Sequence, residues 1–497
     1  MLEVLSLVRS MKNTLAPINR IPQEVLSLIP GYCDTDEELV ALTHVCRGWR
    51  EQFTSRASLW TSLDCTNIEQ TREYLERSKT SPLEIQLEEG GHYPFLNDAF
   101  LLTVPHLGRL KSLSLSGSSN DLLELTRYFG SPAPLLEKLK LSFTCTETPV
   151  IQDAIFDGDL SSLCELRLSG VIANLAWTDL SNLVTFDLRR VPSNKISVSQ
   201  LLNFFERAPL LRKIHLRDAF PNLSDASPGR VVTLPHLKYL TIAAQPAHAI
   251  LLNHLSIPNG ASLKQEFDFS DDKSLIPTYL PKTYKNLKTL SHINSINLSF
   301  GSGVFLRLSG PSGMLYVLGN WVGATPALPT LDRRILRFLT LLHISTTESL
   351  VITDYRDSLQ TKIEKSPIYL ALVLTNNLRV LMLTDCDNLP FIFTLNPKKN
   401  PSKTVVCPKL EELVLYIADK DRFVINELLE MVEERASSCS KLSAITIVSA
   451  QEFVPAKKVL KLRNHVSRVE YKLDDVELKW DDTLDDDLDI SGNESDW

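Results

Sequence analysis

The sequence predicts an α/β protein: a short N-terminal three-helix module followed by a solenoid of repeats, with a curved parallel sheet inside and helices outside. Three observations carry this. The pattern L-x-x-L-x-L, with aliphatic or aromatic substitutes, recurs ten times from residue 110 onward. Helical stretches with one apolar face fall between the copies. Residues 18–62 follow neither rule and read as three short helices. The 497 residues exceed the length at which single cores stop growing, about 250–300 residues, so an array or several domains is required.

Residues 1–17 form an N-terminal extension. In "MLEVLSLVRSMKN" a glutamate at position 3 and the short apolar run before Arg9 argue against a signal peptide. From residue 18 the helical module begins. "IPQEVLSLIP" puts Pro22 at the first turn of a helix, where its missing N–H costs nothing, and Glu24 near the positive helix end. Val25, Leu28, Ile29 and Tyr32 fall on one face of that helix. Asp34, Thr35 and Asp36 offer an N-cap for "EELVALTHVC", whose apolar residues are Leu39, Leu42, Val45 and Cys46. Gly48 is expected to loosen a bend. Trp49 and Phe53 then share a face of the third helix, and "LW" at 59–60 closes the module. So small a bundle cannot hide all these apolar residues, and some must meet the repeats or another protein.

Residues 63–104 read as a linker and capping repeat, and 105–473 as the array. Its copies begin at 110, 136, 163, 183, 211, 237, 293, 378, 410 and 442, each six residues long. A looser copy, "LKQEFDF" at 263–269, has one extra residue. L-x-L alternation points both leucines to one face of a short strand, and the leading leucine turns in from the loop before it. A single such strand cannot bury its leucines; stacked copies can. This is the leucine-rich-repeat signature. "SVSQLLNFFERA" (197–208) and "VINELLEMVEERASSC" (424–439) supply helices between strands. Residues 301–377 are irregular: "GSGVFLRLSGPSGMLYVLGNW" reads as a strand pair and "DRRILRFLTLLHI" as a helix. The glycines at 301, 303, 310 and 313 lack the lysine of a phosphate loop and read as turns.

Charge is unevenly placed. From Glu470 to Trp497 twelve acidic residues face Lys472 and Lys479, a net −10, so the overall −8 leaves residues 1–469 at +2. Residues 474–497 are therefore read as an acidic, disordered tail. The near-neutral remainder lacks the basic footprint of a nucleic-acid binder. No stretch of 18 apolar residues predicts a membrane span. The eight cysteines have neither zinc-ligand spacing nor C-x-x-C pairs, and read as reduced thiols. No hydrolase, kinase or metalloprotease motif occurs, and no cofactor or metal is implied. In "VCRGWR" (45–50), a nucleophilic Cys46 would need a base, and His44, two residues away, points to another helix face. Val45 and Cys46 read instead as core of the helical module, and Arg47 and Arg50 as solvated.

The ordered set I-P-x-E-V-L-x-x-I, L-x-x-L-x-x-V-C-R-x-W-R and L-W over residues 18–62 resembles an F-box. With the repeats behind it, the chain is similar to the fungal F-box/leucine-rich-repeat proteins. That resemblance implies a non-catalytic substrate receptor of a Skp–cullin–F-box (SCF) type E3 ubiquitin ligase. The F-box would dock the Skp-family adaptor and, through it, a cullin-RING core; the repeats would capture a protein substrate for ubiquitin-dependent degradation. No nucleic acid or membrane is expected as a partner, and the cytoplasm or nucleus is the expected location. Carried over by position, the adaptor contacts are Ile21, Pro22, Glu24, Val25, Leu26, Leu39, Leu42 and Trp49. Isoleucine at 21 replaces the commoner leucine, and the loop "PGYCDTDEE" is longer and more acidic than usual. A leucine-rich-repeat scaffold not coupled to ubiquitin transfer is the alternative.

Substrate residues are sought on the concave face, at positions beside the inward leucines. The early strands offer Lys138, Lys140, Arg167, Arg189, Lys213, His215 and Arg217 against Glu165 and Asp187. The later ones offer Val380, Met382, Glu412, Val414 and Tyr416. Two readings stand: a basic stripe for an acidic or phosphorylated segment, or a solvated sheet face with ordinary charge scatter.

Overall fold

The structure, a computed structural model, describes Val4 and residues 16–33, 35–88, 96–117, 126–144, 150–151, 155–173, 180–191, 195–219, 229–243, 251–268, 286–300, 303–320, 344–354, 372–384, 386–417, 424–438, 440–449 and 456–473. The chain divides into two compact units, Met1–Thr185 and Phe186–Trp497. The helix expected at "DRRILRFLTLLHI" and the acidic residues 474–497 lie outside the described residues.

In the first unit three helices come first: α1 (Gln23–Leu26), α2 (Asp36–His44) and α3 (Arg47–Ser55). Strands and helices then alternate: β1 (Ser62–Leu63), α4 (Ile68–Ser78), β2 (Leu83–Glu88), α5 (Leu96–Leu101), β3 (Leu110–Gly117) and β4 (Lys138–Phe143). A two-residue strand, β5 (Val150–Ile151), precedes β6 (Glu165–Ser169) and pairs with β7 (Ile172–Ala173). Strands β1, β2, β3, β4 and β6 pair in parallel, in that order. Their register aligns Leu63, Ile85, Leu113, Leu139 and Leu166 in one buried row. The alternation that makes a half-buried strand is plainest in β2, where Leu83, Ile85 and Leu87 are buried and Glu84, Gln86 and Glu88 are exposed.

The second unit contains most of β8 (Thr185–Val191), then α6 (Val198–Arg207), β9 (Lys213–Ala219), β10 (Val232–Thr233), β11 (Tyr239–Ala243), β12 (Leu255–Ser256) and β13 (Ser262–Asp268). Ser197 starts α6 with a full capping box: its Oγ accepts from the Gln200 N–H, and the Gln200 side chain accepts from the Ser197 N–H. Val198, Leu201, Leu202, Phe204 and Phe205 are buried beneath that helix, with Phe204 4.4 Å from Phe186 between ring centroids. Strands β9, β11 and β13 are parallel neighbours, aligning Ile214, Leu240 and Leu263. Leu263 aligns without an extra residue, and Gln265, not a leucine, fills the next inward place beside Ile242. The looser copy is thus a regular one with a buried glutamine.

The irregular region is a meander. Strands β14 (Ser295–Phe300), β15 (Gly303–Gly310) and β16 (Gly313–Asn320) pair antiparallel in succession. The chain returns through them, so β16, not β14, lies beside β13. The expected strand pair is β15 and β16. Its turn requires glycine: at Gly313 φ is +132°, and a Cβ would sit 1.9 Å from Thr289 Oγ1 and 2.5 Å from the Ala261 carbonyl.

Beyond the meander, β14 pairs in parallel with β17 (Ser349–Asp354), followed by β18 (Val380–Thr384), β19 (Glu412–Ile417), β20 (Ala444–Ser449) and β21 (Arg468–Leu473). Helices α7 (Leu389–Leu395), α8 (Val424–Ser437) and α9 (Ala456–Arg463) fall between them. Ile296, Leu350, Leu381, Leu413, Ile445 and Val469 form the buried row. In all ten copies read from the sequence, the three patterned residues are at most 5% exposed. The outcome is a mostly parallel, helix-flanked strand array preceded by a helical region.

Candidate functional site: the N-terminal helical module

The module closes around Leu26, Trp49 and Phe53, with Ile21, Ile29, Leu42, Cys46 and Leu59 packed against them. Trp49 and Phe53 meet edge to face at 5.5 Å, as their spacing on one helix requires. Thr35 caps α2 by accepting from the Glu38 N–H at 3.3 Å. The break between α2 and α3 falls at Cys46, whose φ of −160° and ψ of 173° are extended. Gly48 lies inside the first turn of α3, so the bend precedes it. Arg50 Nε donates to the Thr43 carbonyl at 3.0 Å and secures the end of α2.

The first helix is shorter than its pattern suggests. It stops at Leu26, and a 3₁₀ turn over Ile29–Tyr32 follows. Two long side chains of α3 and its C-cap hold this segment from behind. Gln52 Nε2 donates to the Gln23 carbonyl at 3.1 Å, and Arg56 Nη1 to the Ser27 carbonyl at 2.7 Å. The chain reversal therefore turns Leu26, Ile29 and Pro30 inward or half inward and leaves Val25, Leu28 and Tyr32 outside. Their exposures are 48%, 62% and 84%. Of the four residues expected on one face, Ile29 packs against the core and the other three face outward. Val45, also expected in the core, is 53% exposed, and Cys46 is a half-buried N-cap.

Among the residues named as adaptor contacts, Leu26, Leu39 and Trp49 are buried, Ile21 and Leu42 are half-buried, and Pro22, Glu24 and Val25 are exposed. Leu28 and Tyr32 were not among them. Their places three and seven residues after Val25 were readable, but their outward turn depends on a helix end that no motif marks.

Trp60 ties this module to α4. It is fully buried; its Nε1–H donates to the Phe53 carbonyl at 2.9 Å. Tyr74 of α4 meets its ring edge-on at 5.0 Å, and the Arg77 guanidinium lies 4.5 Å over it. Gln70 Nε2 of α4 also donates to Asp36 Oδ2 at 2.9 Å. Burial, then Asp64 and Glu37 nearby, hold the Asp36 carboxyl above its ordinary range.

The expected basic stripe is divided between the units. Lys138, Lys140 and Arg167 lie on the first unit's sheet, and Arg189, Lys213, His215 and Arg217 on the second. Much of its charge is answered locally. Arg167 pairs with Glu165, Arg189 with Asp187 at 2.8 Å, and Arg217 with Glu266 at 3.5 Å. His215 is buried, and the Lys213 ammonium lies 5.6 Å from the Tyr239 ring. In the later strands Val351, Met382, Val414 and Thr446 align as a mainly apolar row on the same side. Among the described residues no group of three or more His, Cys, Asp or Glu could hold a metal, and no helix is long and apolar enough to cross a membrane.

A family model described as F-box-like matches residues 18–66, a span that takes in the whole helical module, Trp60 and β1. No curated protein matches the chain. The chain thus carries an F-box-like domain over about a tenth of its length, its C-terminal limit falling just past the buried tryptophan.

Proposed function

We propose that this chain is the substrate-recognition subunit of an SCF-type E3 ubiquitin ligase. The F-box-like module docks a Skp-family adaptor and, through it, a cullin-RING core. The strand array is a leucine-rich-repeat solenoid that binds a protein substrate. The chain itself is not an enzyme: it brings a substrate lysine near a ubiquitin-charged E2 and thereby converts an encounter into an effectively intramolecular step. Cytoplasm or nucleus is where such a complex would act.

One observation carries the reading. The F-box-like module completes its core with Leu26, Trp49 and Phe53, yet turns Val25, Leu28 and Tyr32 outward. Outward apolar residues on a firmly held turn suit a protein partner. The recurring buried leucine rows support the solenoid. The alternative, a scaffold that binds an adaptor without promoting ubiquitin transfer, shares the first half of this reading.

The test is affinity capture of the full chain under proteasome inhibition, comparing wild type, Val25→Asp with Leu28→Asp, and a deletion of 18–62. Wild type is expected to capture a Skp-family protein and a cullin, and both variants to lose them. If the doubly substituted chain, melting like wild type, keeps the adaptor, the docking face is elsewhere. If wild type never captures it, the proposal fails. Adaptor capture with no protein whose half-life changes favours the scaffold.

A further inference from the structure

Helix α9, between β20 and β21 in the second unit, is unlike the other helices in its charge. Its sequence "AKKVLKLR" carries Lys457, Lys458, Lys461 and Arg463 and no acidic residue. Leu462 is fully buried and anchors the inner side. Lys457, Leu460 and Lys461 are exposed and stand at i, i+3 and i+4, hence on one face, with Arg463 exposed beside Leu460. Leu460 is 58% exposed, so an apolar side chain sits within a ring of cations.

None of the four cations makes an ion pair with a described residue. Three of the four carboxylates of the neighbouring helix α8 are held by lysines elsewhere. Glu427 and Glu430 hold Lys399 at 2.5 and 2.6 Å, Glu434 holds Lys398, and Glu433 lies 3.8 Å from His465. The face is thus a cationic surface around a leucine, whose cations have no ion-pair partner among the described residues.

The sequence after β21 has the opposite character. Residues 481–489, "DDTLDDDLD", contain six aspartates around Leu484 and Leu488. Topology brings the two close. β20 and β21 are parallel, so α9 between them runs the other way. Its first residues therefore lie at the end of the sheet where the chain leaves β21 at Leu473. The seven residues from there to Trp480 reach about 23 Å when extended, and α9 is only about 12 Å long. Residues 481–489 can lie along it without strain in the connection.

We infer that residues 481–489 dock on the outer face of α9. Their aspartates pair with Lys457, Lys461 and Arg463, and Leu484 or Leu488 covers Leu460. The acidic segment is then a cover built into the chain, occupying a surface that would otherwise attract acidic partners. This contact does not depend on whether the helical module docks an adaptor.

Zero-length carbodiimide coupling of the full chain, mapped by mass spectrometry, tests it, using an equal mixture of isotopically light and heavy protein. Coupling of Lys399 to Glu427 or Glu430 is the internal control. Within one chain, Lys457 or Lys461 is expected to join a carboxylate of 481–489 at low salt. The yield should fall at least about tenfold at 1 M salt, where the Debye length shrinks to about 3 Å. Asp485→Asn, Asp486→Asn and Asp487→Asn together should remove most of it. The inference is overturned if the control couples and α9 does not. It is also overturned if the links join only light to heavy chains, which would mean a second copy, or if their yield is unchanged by the three asparagines. Anionic vesicles or nucleic acid binding α9 equally well with and without the three asparagines would count against a cover.

Discussion

Arg435 gives the sharpest test of how the second unit is held together. It is fully buried in α8, and its hydrogen-bond acceptors are carbonyls and a hydroxyl rather than a carboxylate. Nη1 donates to the Val406 carbonyl at 2.8 Å and weakly to Leu395 at 3.4 Å; Nη2 donates to the Cys407 carbonyl at 2.8 Å and to Ser440 Oγ at 2.9 Å. Burial lowers its pKa to about 10, well below the ordinary guanidinium value. That shift corresponds to roughly 3 kcal/mol of folded-state cost for keeping the charge. Removing the guanidinium relieves this cost, and two of its acceptors keep another partner: the Cys407 carbonyl retains the Leu410 N–H, and Ser440 still bonds the Pro408 carbonyl. The Val406 carbonyl loses its strong bond, a cost of about 1–3 kcal/mol. Arg435→Met, which keeps the apolar stem, should therefore destabilise by no more than about 2 kcal/mol. Arg435→Lys keeps the buried charge but cannot fork to two carbonyls, and should cost about 3–5 kcal/mol. Urea unfolding followed by tryptophan fluorescence, with hydrogen exchange on β19 and β20, reads the difference. A lysine variant as stable as wild type, or a methionine variant worse than lysine, would refute the reasoning.

The same geometry sets other outcomes. Trp49→Ala should cost roughly 3–5 kcal/mol of module stability, whereas the outward pair Val25→Asp and Leu28→Asp should change it by about 0.5 kcal/mol or less each; thermal melting separates folding from docking. Trp60→Phe should cost about 1 kcal/mol, the bond to the Phe53 carbonyl, and Trp60→Ala about 3–5 kcal/mol, with proteolysis appearing between residues 55 and 68. Burial pushes the Cys65 thiol up to about 12 and the Cys407 thiol up to about 11. A thiol reagent at pH 8 should label exposed Cys164 promptly and these two only on unfolding. With raised folded values the protonated thiols are the stable form, so stability is complete below about pH 9 and falls above it, by up to about 2.7 kcal/mol per pH unit between 9 and 11; equilibrium unfolding against pH measures the slope.

The repeat strands were legible because three leucines per copy leave little else for the pattern to mean. The rows missed in the sequence are those where a polar residue, a proline, a valine or a tyrosine stands in place of a leucine. Thr347 takes the leading place before Leu350, Ser312 that before Leu315, and Gln265 an inward place beside Ile242. Pro82 leads β2, and Val466 and Tyr471 flank Val469 in β21. Each fits a stack whose neighbours already fix the register, and a single copy read alone cannot show that. The helical module was legible in its order but not in its faces. Periodicity assumes a helix that continues, but α1 ends after four residues, with Gln52 bonded to the Gln23 carbonyl at its start and Arg56 to the Ser27 carbonyl at its end. That contact spans 29 residues and has no local signature.

The meander also orders events in time. Strand β13 ends at Asp268, yet its neighbour β16 starts at Gly313, 45 residues later. At about 5–20 residues per second of synthesis, the edge of β13 stands open for roughly 2–9 s while β14 and β15 emerge and cannot close it. β14 would be the wrong strand to accept there, although it is the next one made. The hydrogen-bonding edge of β13 is thus a place where this chain is open to mispairing during synthesis, since an open edge pairs with whatever strand reaches it first.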